Sequence, residues 1–321
     1  MPRTARTVIA SVLAVILVQC SAGCRGQQEA APGQLQGTIA VSGAWALYPM
    51  MVRWGEEFQK LHPNVQLDIS AGGAGKGLAD ALAGVVEIGM VSRDIAPEEE
   101  AKGAFWVPVT KDAVFPTISD RNPALVDLMT RGVPRSGFVG MYIDSSVTTW
   151  GQAVGKPEIT DAVHVYTRSD ACGAAETWAK YLGKKQENLA GIGVYGDPGI
   201  LETVVKDPMG IAYNNLNYAF DTSTGLPVAG ARLVPIDANE NGVADPEEIL
   251  DTKAKAVQAV ATGQYPSPPA RALNLVTKGK PTGLTKALIL WILSDGQRFV
   301  DEVGYIQLTE EQLAGAKAKL E

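Results

Sequence analysis

Three stretches of small residues stand where a strand gives way to a helix, and each has the makings of an anion site. They are Ser42-Gly43-Ala44-Trp45-Ala46-Leu47-Tyr48-Pro49, Ala71-Gly72-Gly73-Ala74-Gly75-Lys76-Gly77 and Arg168-Ser169-Asp170-Ala171-Cys172-Gly173-Ala174. The first amides of a helix have no intrahelical partner, and the dipole there is positive, so a negative ligand is favoured. Small side chains let that ligand reach the backbone. A single turn of this kind reads equally well as tight packing of a strand on a helix. Three in one chain, with Lys76 and Arg168 beside them, point to binding. The candidate ligand residues are Gly43, Ala44, Trp45 and Ala46, then Gly73, Ala74 and Gly75, then Arg168, Cys172, Gly173 and Ala174.

Cys172 is open to two readings. At a helix start near Arg168 its pKa is expected to fall, which favours thiolate. A small buried residue that packs as a hydrophobe is the plainer reading. An enzyme with Cys172 as nucleophile and Asp170 or a histidine assisting would need a placed base and an orienting group. No motif supplies them, so no catalytic activity is expected. His62 and His164 lie outside the turns, which leaves a soft-metal site without partners. Lys111 and Asp112 precede a strand with crossover character; they line the cleft or form an ordinary surface pair.

A second constellation runs from Asp237 to Glu248. Side-chain oxygens come from Asp237, Asn239, Asn241, Asp245 and Glu248, a backbone carbonyl from Val243, and Gly242 makes the turn. Calcium takes about six to eight oxygens, and this is EF-hand spacing, here between a strand and a helix. A structural calcium is the expectation, although Ala244 stands where a larger apolar residue is usual. A polar turn with acidic helix-start residues is the alternative.

The elements that must position these groups alternate. Strands are expected at 37–42, 65–70, 86–92, 113–119, 163–168, 210–214, 232–236 and 272–277. Helices fall between them, with one long helix near 285–303 and a last one opened by a Thr309/Gln312 capping box. Alternating β and α elements imply an α/β fold of mostly parallel sheet flanked by helices, with ligands beyond the carboxyl ends of strands. The chain has 321 residues, 46% hydrophobic and 20% charged, enough for two domains with real cores and too apolar for bulk disorder. Its charge of −7 excludes a chain-wide basic footprint for nucleic acid, and its 3 cysteines exclude a disulfide scaffold.

The first residues read as an address. Arg3 and Arg6 precede an apolar run, Val8 to Val18, too short to span a bilayer. Ser21-Ala22-Gly23-Cys24 then resembles the lipobox of bacterial lipoproteins. A signal peptide at 1–23, lipidation at Cys24 and a polar tether at 24–36 are expected, anchoring a periplasmic or cell-surface protein to a bacterial membrane. Cleavage removes two arginines and no acidic residue, so the mature chain is more negative than −7.

From Thr38 to the C terminus the chain resembles the substrate-binding proteins of phosphate-type ABC importers, with the two-lobed type II periplasmic binding fold. The resemblance rests on Val41-Ser42-Gly43-Ala44-Trp45, on Gly72 to Gly77, on Glu87-Ile88-Gly89-Met90-Val91-Ser92-Arg93 and on Arg168 to Ala174. It adds Ser92 and Arg93 to the candidate ligand residues. It implies one lobe of 37–112 plus 228–321 and a second of 113–227. It implies a monomer that captures phosphate or a related oxyanion for an ABC permease. A same-fold protein that senses or scavenges another anion without a permease is the alternative. The departures are specific: Ala44, Trp45, Ala74, Cys172 and Ala174 replace residues that are hydroxylic in the family. At ~1 kcal/mol per neutral hydrogen bond, four lost donors would cost roughly two to three decades of affinity.

Overall fold

The computed structural model describes residues 34–321. The expected signal peptide, the lipidation at Cys24 and most of the tether lie outside the described residues. In chain order the elements are β1 (Gly37–Gly43), α1 (Tyr48–Leu61), β2 (Val65–Ala71), α2 (Ala74–Ala83), β3 (Ile88–Val91), α3 (Pro97–Glu100), β4 (Ala104–Ser119), α4 (Leu125–Arg131), β5 (Val133–Pro134), α5 (Arg135–Tyr142) and α6 (Trp150–Val154). They continue with β6 (His164–Arg168), α7 (Gly173–Tyr181), β7 (Ile192–Val194), α8 (Gly196–Lys206), β8 (Gly210–Asn215), α9 (Leu216–Ala219), β9 (Ala231–Leu233), β10 (Ile236–Asp237), α10 (Lys253–Thr262), β11 (Ala270–Lys278), α11 (Gly283–Ile292), α12 (Arg298–Val303) and α13 (Glu310–Leu320).

The main sheet has nine strands, in the path β2-β1-β3-β11-β4-β8-β6-β7 with β9 beside β4. Parallel pairs (β1 with β2 and β3, β6 with β7 and β8) lie towards the two ends. The middle is antiparallel, because β11 and β4 run against their neighbours. Two apolar cores result. The first gathers Met50, Trp54 and Phe58 of α1 with Leu275, Leu288 and Ile292. The second gathers Phe138, Tyr142, Trp150, Trp178 and Tyr213. β4 serves both: its first part pairs with β11 and its second with β8.

Leu233, Ile236, Leu250, Val260 and Tyr265 belong to the second core, so the chain returns to the first core in β11 rather than at Val228. The apolar face of α10, Ala256, Ala259 and Val260, decides this: it is buried against the second core. β4 also begins earlier than the strand expected at 113–119. Pro108 argues against a strand there, but a register irregularity between Leu273 and Asn274 of β11 sets Thr110 and Pro108 opposite successive residues and lets β4 run through. The single helix expected at 285–303 is two, α11 and α12. The break falls at Ser294-Asp295-Gly296, where the Ser294 hydroxyl donates to the Leu290 carbonyl at 2.7 Å and the Trp54 indole takes the Gly296 carbonyl at 2.8 Å.

Candidate anion-binding cleft

The three turns meet between the two cores. The Gly43 carbonyl accepts from the amides of Gly72 and Gly73 at 2.9 and 3.0 Å, locking the first turn to the second. Gly43 has φ +133, and a Cβ there would stand 2.8 Å from Gly77 Cα, so only glycine fits. Gly73, at φ +92, caps α2, and the Gly75 N–H donates across to the Ala171 carbonyl of the third turn at 3.1 Å. Gly173 opens α7 directly against Ser92, whose carbonyl carbon would lie 2.5 Å from a Cβ at that position. Ala44, Ala46, Ala74 and Ala174 are all buried, and at Ala44, Ala74 and Ala174 a methyl stands where the family resemblance leads one to expect a hydroxyl.

Trp45 fills part of the space between the lobes. Its ring meets Tyr195 edge-on at 6.3 Å between centroids, and a Cβ on Gly196, the first residue of α8, would touch it at 3.4 Å. The Tyr218 hydroxyl donates to the Trp45 carbonyl at 3.3 Å. The indole Nε1 is buried and has no partner.

Arg168 ends β6 with no side-chain exposure. Its Nε and Nη2 donate to Asp170 at 2.8 and 2.6 Å, and its Nη1 donates to Asp197 at 2.5 Å. Burial opposes its charge, but Asp197 and Asp170 outweigh that and hold the guanidinium protonated. The two carboxylates are themselves fastened: Asp170 accepts from the Gly196 amide at 3.2 Å and Asp197 from Asn215 Nδ2 at 2.5 Å. Arg93 is engaged outside the turns, in a two-point contact with Glu99 at 2.8 and 2.7 Å and a 3.1 Å pair with Glu176 of α7. Lys76 turns to Asp80, which also accepts from Ser42 at 2.6 Å.

Cys172 corrects an expectation. Burial pushes its thiol up to about 12, and Asp170 and Asp197 add to that against the pull of Arg168. It is a neutral thiol, and its sulfur caps α7 by accepting from the Ala175 amide at 3.4 Å. The reading as a small buried replacement for serine agrees with this; a thiolate does not.

The loop expected to hold calcium is closed by hydrogen bonds of its own. Asp237 accepts the Asn241 and Gly242 amides at 3.1 and 2.9 Å, and Asn241 Oδ1 accepts the Val243 amide at 2.8 Å. Asn239 and Asn241 donate their amides to Asp245 at 2.8 and 3.0 Å, and Glu248 caps Ala238 and Asp245 at 2.7 and 3.1 Å. Among the described residues no group of three or more acidic, histidine or cysteine side chains is arranged to hold a metal. The loop satisfies its oxygens with its own donors.

Three participants had no motif to announce them. Asp197 reaches Arg168 because α8 starts beside β6. Asn215 joins it from the end of β8. Arg271 lies across from Asp112 in the pairing of β11 with β4. Asp112 itself is buried at 1% exposure, not on the surface. Burial raises its pKa to about 6, with Arg271 opposing and Asp197 reinforcing the rise.

Two α/β cores joined by crossing strands, with small-residue turns facing each other across the junction, define the two-lobed type II class of solute-binding folds. The chain belongs to the PBP superfamily domain family, whose model matches residues 28–296. It is 26% identical over 294 residues to the phosphate-binding protein PstS of Bacillus subtilis (strain 168), covering 90% of this chain and 85% of that protein. It is 26% identical over 299 residues to the phosphate-binding protein PstS of Methanocaldococcus jannaschii, covering 78% of this chain and 73% of that one. Among solved structures it is similar to a substrate-binding protein from Clostridium perfringens with bound phosphate, with a TM-score of 0.69 and 24% identity, covering 85% of this chain and 100% of that one. These relatives are binding proteins by name, in line with the expectation of no catalytic activity.

Proposed function

We propose that this chain is an extracytoplasmic solute-binding protein that captures inorganic phosphate, or a tetrahedral oxyanion close to it, for an ABC importer. The carrying observation is the meeting of three helix-start turns across the cleft, with Gly75 on Ala171 and Gly173 on Ser92. Backbone amides and guanidinium groups suit an oxyanion, and the PstS relatives support phosphate as the first candidate. Loss of the hydroxyl donors shifts recognition onto the backbone and lowers affinity. No helix among the described residues is long and apolar enough to cross a membrane. Lipidation of Cys24 would provide the attachment, and a monomer with one cleft is the working unit.

The test is a thermal-shift screen of phosphate-stripped protein against phosphate, arsenate, sulfate and molybdate. Phosphate or arsenate should raise Tm as a ligand bound to the native state does. A flat response to every anion would refute the reading. Cys24→Ser should release the protein from the membrane fraction; unchanged retention would refute the anchor.

A further inference from the structure

The floor of the cleft holds a second guanidinium, outside the three turns. Arg271 stands on β11 directly across from Asp112 on β4, in the stretch where both strands pass between the cores. Its side chain is 5% exposed. Nε donates to the Ser92 carbonyl at 2.7 Å, and Nη2 donates to Asn215 Oδ1. Ser92 follows β3 in the first lobe and Asn215 ends β8 in the second, so one side chain holds both lobes. Nη2 also lies 3.2 Å from Asp112 Oδ2. Nη1 is buried and has no partner.

An unpaired buried donor on a charged group is costly, and an acceptor that met it would be held strongly. Arg168 is in the opposite position. Three of its nitrogens already donate, and two carboxylates at 2.5–2.8 Å offset its one charge. Arg271 pairs directly with a single carboxylate, with Asp197 acting on it from farther off, and Asp112 Oδ2 makes no hydrogen bond in return. Arg271 also helps wall a cavity of about 310 Å³ in which Arg93 and Lys180 are matched by Glu176 and Asp94. Arg271 is therefore the cation of that wall whose donors are not all taken.

We propose that Arg271 is the guanidinium that receives the oxyanion in this cleft, with Nη1 as the donor and the Ser92 carbonyl fixing its aim. The inference rests on the oxyanion reading above. Arg168 then acts as the scaffold that holds Asp170 and Asp197 at the mouth of the third turn. Asp112 competes with the anion for Arg271. Because Arg271 touches both lobes, an anion on Nη1 also favours the closed arrangement.

The experiment is calorimetric titration of phosphate-stripped full-length protein with inorganic phosphate, in the wild type and in the Arg271→Met and Asp112→Asn variants, with circular dichroism to confirm folding. Loss of a charged hydrogen bond corresponds to roughly 10- to 100-fold in affinity, so Arg271→Met should weaken phosphate by that factor. Asp112→Asn is isosteric and frees the guanidinium from its competitor, so it should tighten phosphate several-fold. A merely structural ion pair predicts weakening in both variants, and that pattern overturns the proposal. Wild-type affinity in folded Arg271→Met overturns it while leaving the oxyanion reading intact. A wild type that binds no phosphate and gains no Tm from any oxyanion overturns both. If Arg271→Met does not fold, the sign of the Asp112→Asn effect decides.

Discussion

Gly173→Ala separates closure of the cleft from stability of the lobes. Gly173 is the first residue of α7 and has no positive φ, so alanine fits its backbone. Taken alone, alanine should favour the helix by up to about 1 kcal/mol. The obstacle lies in the other lobe. The new Cβ would stand 2.5 Å from the carbonyl carbon of Ser92, with that residue's two oxygens nearer still. Ordinary contact needs about 3.5 Å or more, so the two must part by about 1 Å. Overpacking of this kind costs about 1–3 kcal/mol. Ser92 and Gly173 sit on different lobes, so opening the cleft relieves the strain without unfolding either core. Opening breaks the Gly75 to Ala171 bond of 3.1 Å and the Arg271 to Ser92 bond of 2.7 Å. A penalty of about 2 kcal/mol on the closed state corresponds to roughly 30-fold weaker apparent affinity. Phosphate calorimetry should read that loss, small-angle scattering should show a variant that stays open in saturating phosphate, and Tm without ligand should barely move. Affinity within about threefold of wild type, with normal compaction, would refute the reasoning.

Three further outcomes are expected. Cys172, held neutral by burial with its thiol pushed up to about 12, should resist iodoacetamide at pH 8 in the native protein and react fully once unfolded; rapid native alkylation would contradict the assignment. The Asp112 pKa is raised from 3.8 to about 6, so its carboxyl favours folding at low pH and loses that contribution as pH rises from 4 to 6. The stability of Asp112→Asn relative to wild type should therefore climb by up to about 3 kcal/mol across that window in urea melts and level off above it; a flat difference would refute it. Trp45 Nε1 has no partner, so Trp45→Phe should keep stability within about 1 kcal/mol, because no hydrogen bond is lost; a large drop in Tm would show a donor role.

Much of the site was legible because it is local. The turns after β1, β2 and β6 were found from small residues at strand-to-helix junctions, and α1, α2 and α7 begin at or next to them. The Thr309/Gln312 capping box opens α13 as its spacing requires. Elements that depend on a distant partner were harder. The first part of β4 contains Pro108 and is a strand because β11 accommodates it with a shifted register. The single helix expected at 285–303 breaks where Trp54, far away in α1, takes the Gly296 carbonyl.

The sequence by itself determined where free amides and glycines stand, because a helix start or a positive φ is settled within a few residues of chain. It also determined the alternation of strands and helices, and with it the class of fold, although β7 and α8 carried no signal that was read. Tertiary structure alone decided the electrostatics. Arg168 looked like a free cation next to a reactive thiol until α8 brought Asp197 against it. Asp112 read equally well as a surface residue until the pairing of β4 with β11 buried it opposite Arg271. The charge state of a buried group depends on how much water is removed and which charges lie across the gap. Both are set by segments brought together only in the fold.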